Sequence, residues 1–220
     1  MTSATSKELV QIRERLNELR ERDTAFEVFG SSRHRYVLNP PLKAAELREF
    51  ETTHSVILPD AYRSFLLECG NGGAGPYYGI FPLGHRDHGA GGPLEAWAEG
   101  DGLAGVLSRP FPHDRAWNLP EERFSPPAVF RCAEEEKIWY RTLEDDTWKS
   151  SLVDGALPIC HQGCAIRNYL VVTGTERGNV WIDDRVNHNG IYPEATDSSG
   201  RVPFLEWYSS WIATSLARVR

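Results

Sequence analysis

The sixteen residues from Leu58 to Gly73 constrain the fold more than any other part of this 220-residue chain. They spell a helix start, an apolar face, a helix stop and a turn. Pro59 suits a first helical position, where its missing N–H costs nothing. Asp60 adds negative charge to the first turn, where the helix dipole favours it. Tyr62, Phe65, Leu66 and Cys69 recur at helical spacing and make one apolar face. Gly70 fits the left-handed position that closes many helices, and Asn71, Gly72 and Gly73 continue into a turn. Tyr78 to Leu83 then reads as a short strand ended by Pro82, Leu83 and Gly84.

The flanking segments supply further elements. Lys7 to Arg22 is a charged amphipathic helix, with Leu9, Ile12, Leu16 and Leu19 on one side and mostly Arg and Glu on the other. Its apolar stripe is narrow, suited to a domain edge or a partner. Phe26 to Leu38 is ambiguous, with a candidate strand at Tyr36 to Leu38. Leu42 to Thr53 is the next helix, with Leu47 and Phe50 facing inward. Strands are expected at Leu157 to His161, Tyr169 to Thr173 and Asn179 to Asp183, the last two forming a hairpin. Phe204 to Arg218 closes the chain as a helix that buries Phe204, Tyr208, Trp211, Ile212 and Leu216. Helices lead, strands dominate later and a helix closes. That order argues for an α+β fold, with a mostly antiparallel sheet and flanking helices.

Between Gly84 and Asp154 the character changes. His85 to Gly92 reads as a mobile loop, and Leu94 to Leu107 suggests a short helix around Trp97. Pro110, Pro112, Pro120, Pro126 and Pro127 mark an ordered but irregular stretch. Glu134 to Lys149 fits a short helix or a hairpin. The expected organisation is an N-terminal amphipathic helix and linker over residues 1–30, then a single domain over residues 31–220 with an irregular central insertion at about 84–154.

Leu58 to Leu83 resembles the signature segment of the SUKH superfamily. Pro41 to Glu51, Gly178 to Asp183 and Phe204 to Trp211 fit the same pattern. The resemblance covers Tyr36 to Leu83 and Gly155 to Leu216, and it implies a SUKH-like α+β domain. The superfamily includes a yeast cell-wall synthesis regulator and many bacterial immunity proteins that neutralise secreted toxins. Its signature contains no reactive group, so it marks a fold more than an activity. It implies a binding protein without catalytic residues, with an immunity protein that occludes a toxin stoichiometrically as the leading expectation. A regulatory scaffold of the cell-wall regulator type is the first alternative. A small-ligand receptor or enzyme, using a cleft near the glycine-rich turn and the histidine loop, is the second.

Charge narrows the partner. With 24 Lys and Arg against 31 Asp and Glu, the formal net charge is −7. Nonspecific nucleic-acid binding is disfavoured, because phosphate contacts need clustered cations. A basic protein, such as a nuclease toxin, would be steered towards this chain. No apolar run approaches the ~18–20 residues of a membrane span. The N-terminus lacks a secretory apolar core, so a cytoplasmic location is expected, and with it no disulfide among Cys69, Cys132, Cys160 and Cys164.

Cys160, His161 and Cys164 have zinc-ligand chemistry, but no fourth ligand or paired knuckle accompanies them. Cys160 and His161 are adjacent on a strand, point to opposite faces and should not form a nucleophile–base pair. Gly70 to Gly75 lacks the Lys-Ser/Thr of a phosphate loop. His85, Asp87 and His88 read as solvated loop residues. No metal, cofactor or catalytic residue is therefore assigned. High-affinity binding needs central aromatic anchors within a polar rim. Tyr77, Tyr78, Trp97 and Trp117 are the expected anchors because they lie in loop-like segments, whereas Trp181 and Trp211 are assigned to the core. Asp145, Asp146, Asp183 and Asp184 are the acids expected to meet a basic partner.

Overall fold

The computed structural model, which describes residues 3–87, 92–195 and 200–219, is an α+β fold built on a four-stranded sheet. Helices α1 (Ser3–Arg22), α2 (Ser31–His34), α3 (Ala44–Thr53) and α4 (Asp60–Glu68) come first. A small hairpin of β1 (His85–Asp87) and β2 (Leu94–Ala96) and helix α5 (Ala133–Thr147) follow. Strands β3 (Ala156–Gly163), β4 (Ile166–Val171), β5 (Val180–Asp184) and β6 (Gly190–Pro193) then form an antiparallel meander, and α6 (Phe204–Arg218) closes the chain. No helix among the described residues is long and apolar enough to cross a membrane.

Both faces of the meander are covered, and strand alternation decides what goes where. Leu170 and Val180 point into a large cluster with α1, α3, α4 and α6, while Tyr169, Val171 and Trp181 point the other way. There they meet Phe111, Val153 and Leu152 from the segment that precedes the meander. A register shift between Pro158 and Cys160 lets Ile159 and Cys160 both enter the large cluster. The sheet also widens by single bridges. Leu38, Gly73 and Ile80 add successive rungs beyond Cys160 on β3, and Trp117 adds one beyond Ile191 on β6.

The stripe on α1 is narrow but fully used. Leu9, Ile12, Leu16 and Leu19 are all buried within the large cluster, against α4 and α6. At ~1.5–3 kcal/mol per buried side chain, these four contribute roughly 6–12 kcal/mol before entropy is counted. The α4 face is as the spacing predicts, with Tyr62, Phe65, Leu66 and Cys69 buried. Pro59 is the residue that caps α4, one position before the helix.

Several expectations are corrected. Gly70 is not left-handed; Gly72 and Gly73 are, at φ 78° and 99°. Gly70 is needed for close approach instead, since a Cβ there would lie 2.5 Å from the Asn39 carbonyl oxygen. His85 to Asp87 is a strand and not a loop, paired residue for residue with β2, and His88 lies outside the described residues. There is no helix around Trp97, which follows β2 directly. Glu134 to Lys149 resolves as the helix α5. Strand β6 was not anticipated.

Candidate functional site

The segment between α1 and α2 is shaped by one carboxylate. Asp23 is buried and accepts the Glu27 and Val28 backbone N–H groups at 2.7 and 3.1 Å and the Ser31 hydroxyl at 3.3 Å. The Tyr36 hydroxyl also donates to it. Burial acts to raise the Asp23 pKa, but these hydrogen bonds outweigh it and hold the carboxyl below its usual range. The loop so fixed presents Phe29, 57% exposed, towards Tyr77 and α6. Gly30 is left-handed at φ 78°, and a Cβ on it would sit 1.8 Å from the Tyr77 carbonyl oxygen, so only glycine lets the loop dock there.

Together these pieces enclose a groove of about 430 Å³. Val28, Phe29, Pro76 and Tyr77 form one side, and Trp207, Trp211 and Ser215 of α6 the other. Gln162 at the end of β3 and Glu194 just after β6 complete it. Trp211 is held by rings behind it: His34 edge-on at 5.8 Å, Tyr208 edge-on at 5.5 Å and Tyr36 stacked at 6.5 Å. Phe26, Arg35, Tyr36 and Tyr77 all have left-handed φ values, 57°, 50°, 60° and 52°. Non-glycine residues in that region are strained, as Ser55, Cys164, Ala165 and His188 are elsewhere in the fold, and of these eight Tyr77 lines the groove.

Glu194 carries the groove's distinctive electrostatics. Its carboxylate accepts from Asn168 Nδ2 at 3.0 Å, and Asn168 Oδ1 accepts in turn from Gln162 Nε2 at 3.0 Å. Burial raises the Glu194 pKa, against the lowering effect of hydrogen bonds from Asn168, the Ala195 N–H and Trp207. Burial, and next the Glu194 charge, push the Tyr77 phenol up to about 12.

Of the expected anchors, Tyr77 lines this groove. Tyr78 faces a neighbouring pocket of about 250 Å³, with Arg33, Val37 and Leu94, and stacks on His161 at 6.0 Å. Trp97 is buried against His54, at 5.1 Å, and offers a partner no open face. Trp117 is half-buried at the β6 edge, where it packs with Phe111, Trp181 and Ile191, and it does not line the groove. The acids also scatter. Asp145 is exposed on α5, and Asp146 pairs with Arg123 and, at 2.6 Å, with Lys149. Asp183 is buried in a bidentate pair with Arg185, and Asp184 is buried beneath Asn187 and Asn189, each donating at 2.6 Å. Neither reaches the surface, where a partner could meet it.

Phe29, Trp207, Trp211 and Glu194 were missed. The only signal was the i, i+4 pair Trp207 and Trp211, and the same spacing marks a core stripe.

The cysteine–histidine motif does not converge. Cys160 is buried with its thiol towards the Pro76 carbonyl, and burial drives its pKa well above normal. Cys164 is exposed. His161 is buried with neither ring nitrogen hydrogen-bonded. Burial lowers its pKa, against the opposing pull of Asp87. Among the described residues no three His, Cys, Asp or Glu side chains gather as a metal site, and all four cysteines are free.

A model of the SMI1/KNR4 family (SUKH-1) matches residues 41–200. The chain belongs to this family. No curated protein and no solved structure matches it. The matched span contains α3, α4 and the whole meander, together with Tyr77, Gln162 and Glu194 of the groove. Phe29, Trp207 and Trp211 fall outside it, so this SUKH-1 chain builds one groove from family and flanking segments.

Proposed function

We propose that this SUKH-1 protein is an immunity protein, which binds a bacterial toxin in equimolar amount and covers its active site without turning anything over. The observation that carries the reading is the groove walled by Phe29, Tyr77, Trp207 and Trp211. Aromatic side chains held rigidly in a concavity make strong anchors, because little rotamer freedom is lost when a partner covers them. The net charge of −7 favours capture of a basic toxin, such as a nuclease. In this reading the protein works in the cytoplasm of the cell it protects, and the family includes proteins with that role.

The test is affinity capture of the tagged protein from its host lysate, with mass spectrometry after a salt wash. One stoichiometric partner with a toxin-like C-terminal domain is expected. That domain, expressed alone, should arrest growth, and the parent protein should restore it. Trp211→Ala should weaken the complex by ~30-fold, the effect of losing a ~2 kcal/mol hot spot. Several sub-stoichiometric housekeeping partners would instead identify a regulatory scaffold. A captured domain that the protein does not neutralise would refute immunity.

A further inference from the structure

Most of the groove wall is apolar and aromatic, yet it contains a half-buried carboxylate, Glu194, with which no cation pairs among the described residues. The hydrogen bonds to Glu194 come from neutral donors: Asn168, the Ala195 N–H and Trp207. Other carboxylates are given a cation: Asp183 has Arg185, Glu51 has Arg63 and Glu176 has Arg201. Asp23 and Asp184 are, like Glu194, met by neutral donors, but both are buried and only Glu194 lines the groove. Arg218 also lines the groove, but it forms no ion pair with Glu194.

We infer that the groove receives a cationic side chain of the partner protein, an arginine or lysine, with its stem along Phe29, Tyr77 and Trp211 and its charge at Glu194. This rests on the partner-binding reading above and specifies the chemistry of that partner. Aromatic faces attract cations through their quadrupole, and the aliphatic stem of a long basic side chain packs well on rings. A basic side chain supplies both the charge Glu194 lacks and the apolar area the walls leave open. It also agrees with the sign of the whole-protein field.

The probe is a blocked pentapeptide with a central arginine, compared with the same peptide carrying uncharged citrulline. Each is titrated into the full chain while the tryptophan indole N–H signals are followed by NMR. The arginine peptide should shift Trp207 and Trp211 saturably, and citrulline should weaken binding at least tenfold. Glu194→Gln should do the same, since it removes the charge and keeps an oxygen for Asn168 to donate to. Should that variant fail to fold, the citrulline comparison on the parent decides alone. Equal binding of both peptides, no saturable shift at the two groove tryptophans, or concentration-dependent shifts without peptide (a second copy filling the groove) would overturn the inference. The captured toxin separates the two readings. Loss of binding with both Trp211→Ala and Glu194→Gln supports both. Loss with Trp211→Ala alone keeps the groove as the contact and overturns the cation. Retention with both overturns the groove itself.

Discussion

Arg185 is the bolt between the sheet and the segment that precedes it, and removing it should show how much of the stability runs through one side chain. It is 2% exposed and reaches Asp183 through Nε at 2.8 Å and Nη2 at 2.6 Å. It also donates to the Thr147 carbonyl at the end of α5, at 2.9 Å, and to the Gly102 carbonyl at 3.0 Å. Its guanidinium lies 4.8 Å from the centre of the Trp148 ring. Burial disfavours the charge, and the Asp183 carboxylate more than restores it, so the arginine pKa is raised. Arg185→Met fills a similar volume but leaves Asp183 buried and uncompensated, a defect that costs about 3–5 kcal/mol. Loss of two charge-assisted bonds to carbonyls adds to this, less at Gly102 where water can reach. A net loss of about 4 kcal/mol is expected, a large share of the ~5–15 kcal/mol of a typical domain. Urea unfolding followed by tryptophan fluorescence measures it, as a fall in midpoint of roughly 1.3–2 M at a slope of ~2–3 kcal/mol per M. Paired with Asp183→Leu, the double variant should be less destabilised than the sum of the singles, because neither charge is then left unpaired. Single variants within ~1 kcal/mol of the parent, or strictly additive ones, would refute the reasoning.

Two further outcomes follow from burial. The pKa of His34 is pushed down to about 4, chiefly by burial, from 6.5 when free. The unfolded chain therefore binds the proton first, so its stabilising contribution is complete above pH 6.5 and is lost as pH falls towards 4. The shift is worth ~3 kcal/mol. Burial also lowers the pKa values of His113 and His161, with the same sign, and raises that of Glu194, which opposes them. A urea midpoint that stays flat between these pH values, or the same slope in His34→Asn as in the parent, would count against it. Thiol titration should find Cys132 and Cys164 reacting quickly in the native protein and all four cysteines in urea, because burial raises Cys69 to about 11 and Cys160 well above normal. Four fast thiols in the native state would show that the large cluster opens readily.

What the sequence made legible was local. The α4 helix announced itself because its cap, dipole charge and apolar face agree within a dozen residues. The role of Gly70 did not, because its neighbour is Asn39, brought there by tertiary folding. The second half of β4, Tyr169 to Val171, was readable as a central strand because it is apolar and buried on both faces, whereas Arg167 and Asn168 in its first half gave no such signal. Strands β1 and β6 were not. One is His-Arg-Asp, whose arginine and aspartate are buried only by tertiary context, and the other is four residues bounded by Gly190 and Pro193. The groove was least legible of all, since Phe29, Tyr77, Glu194 and Trp211 are far apart in the chain and each has an ordinary local reading.

The acids show why charge density misleads where a site is concerned. Asp183 and Asp184 stand out as a run, and a basic side chain does bind there, but it is Arg185 of the same chain. Asp146 is likewise occupied by Arg123 and Lys149. What makes a carboxylate available to a partner is an unmet charge at an accessible surface; Asp183 and Asp146 have cations of their own, and Asp184 is buried. Glu194 stands alone in sequence, surrounded by neutral donors and aromatic rings. Its isolation hides it from a sequence reading, and it is this unpaired charge that the proposed cationic partner would meet.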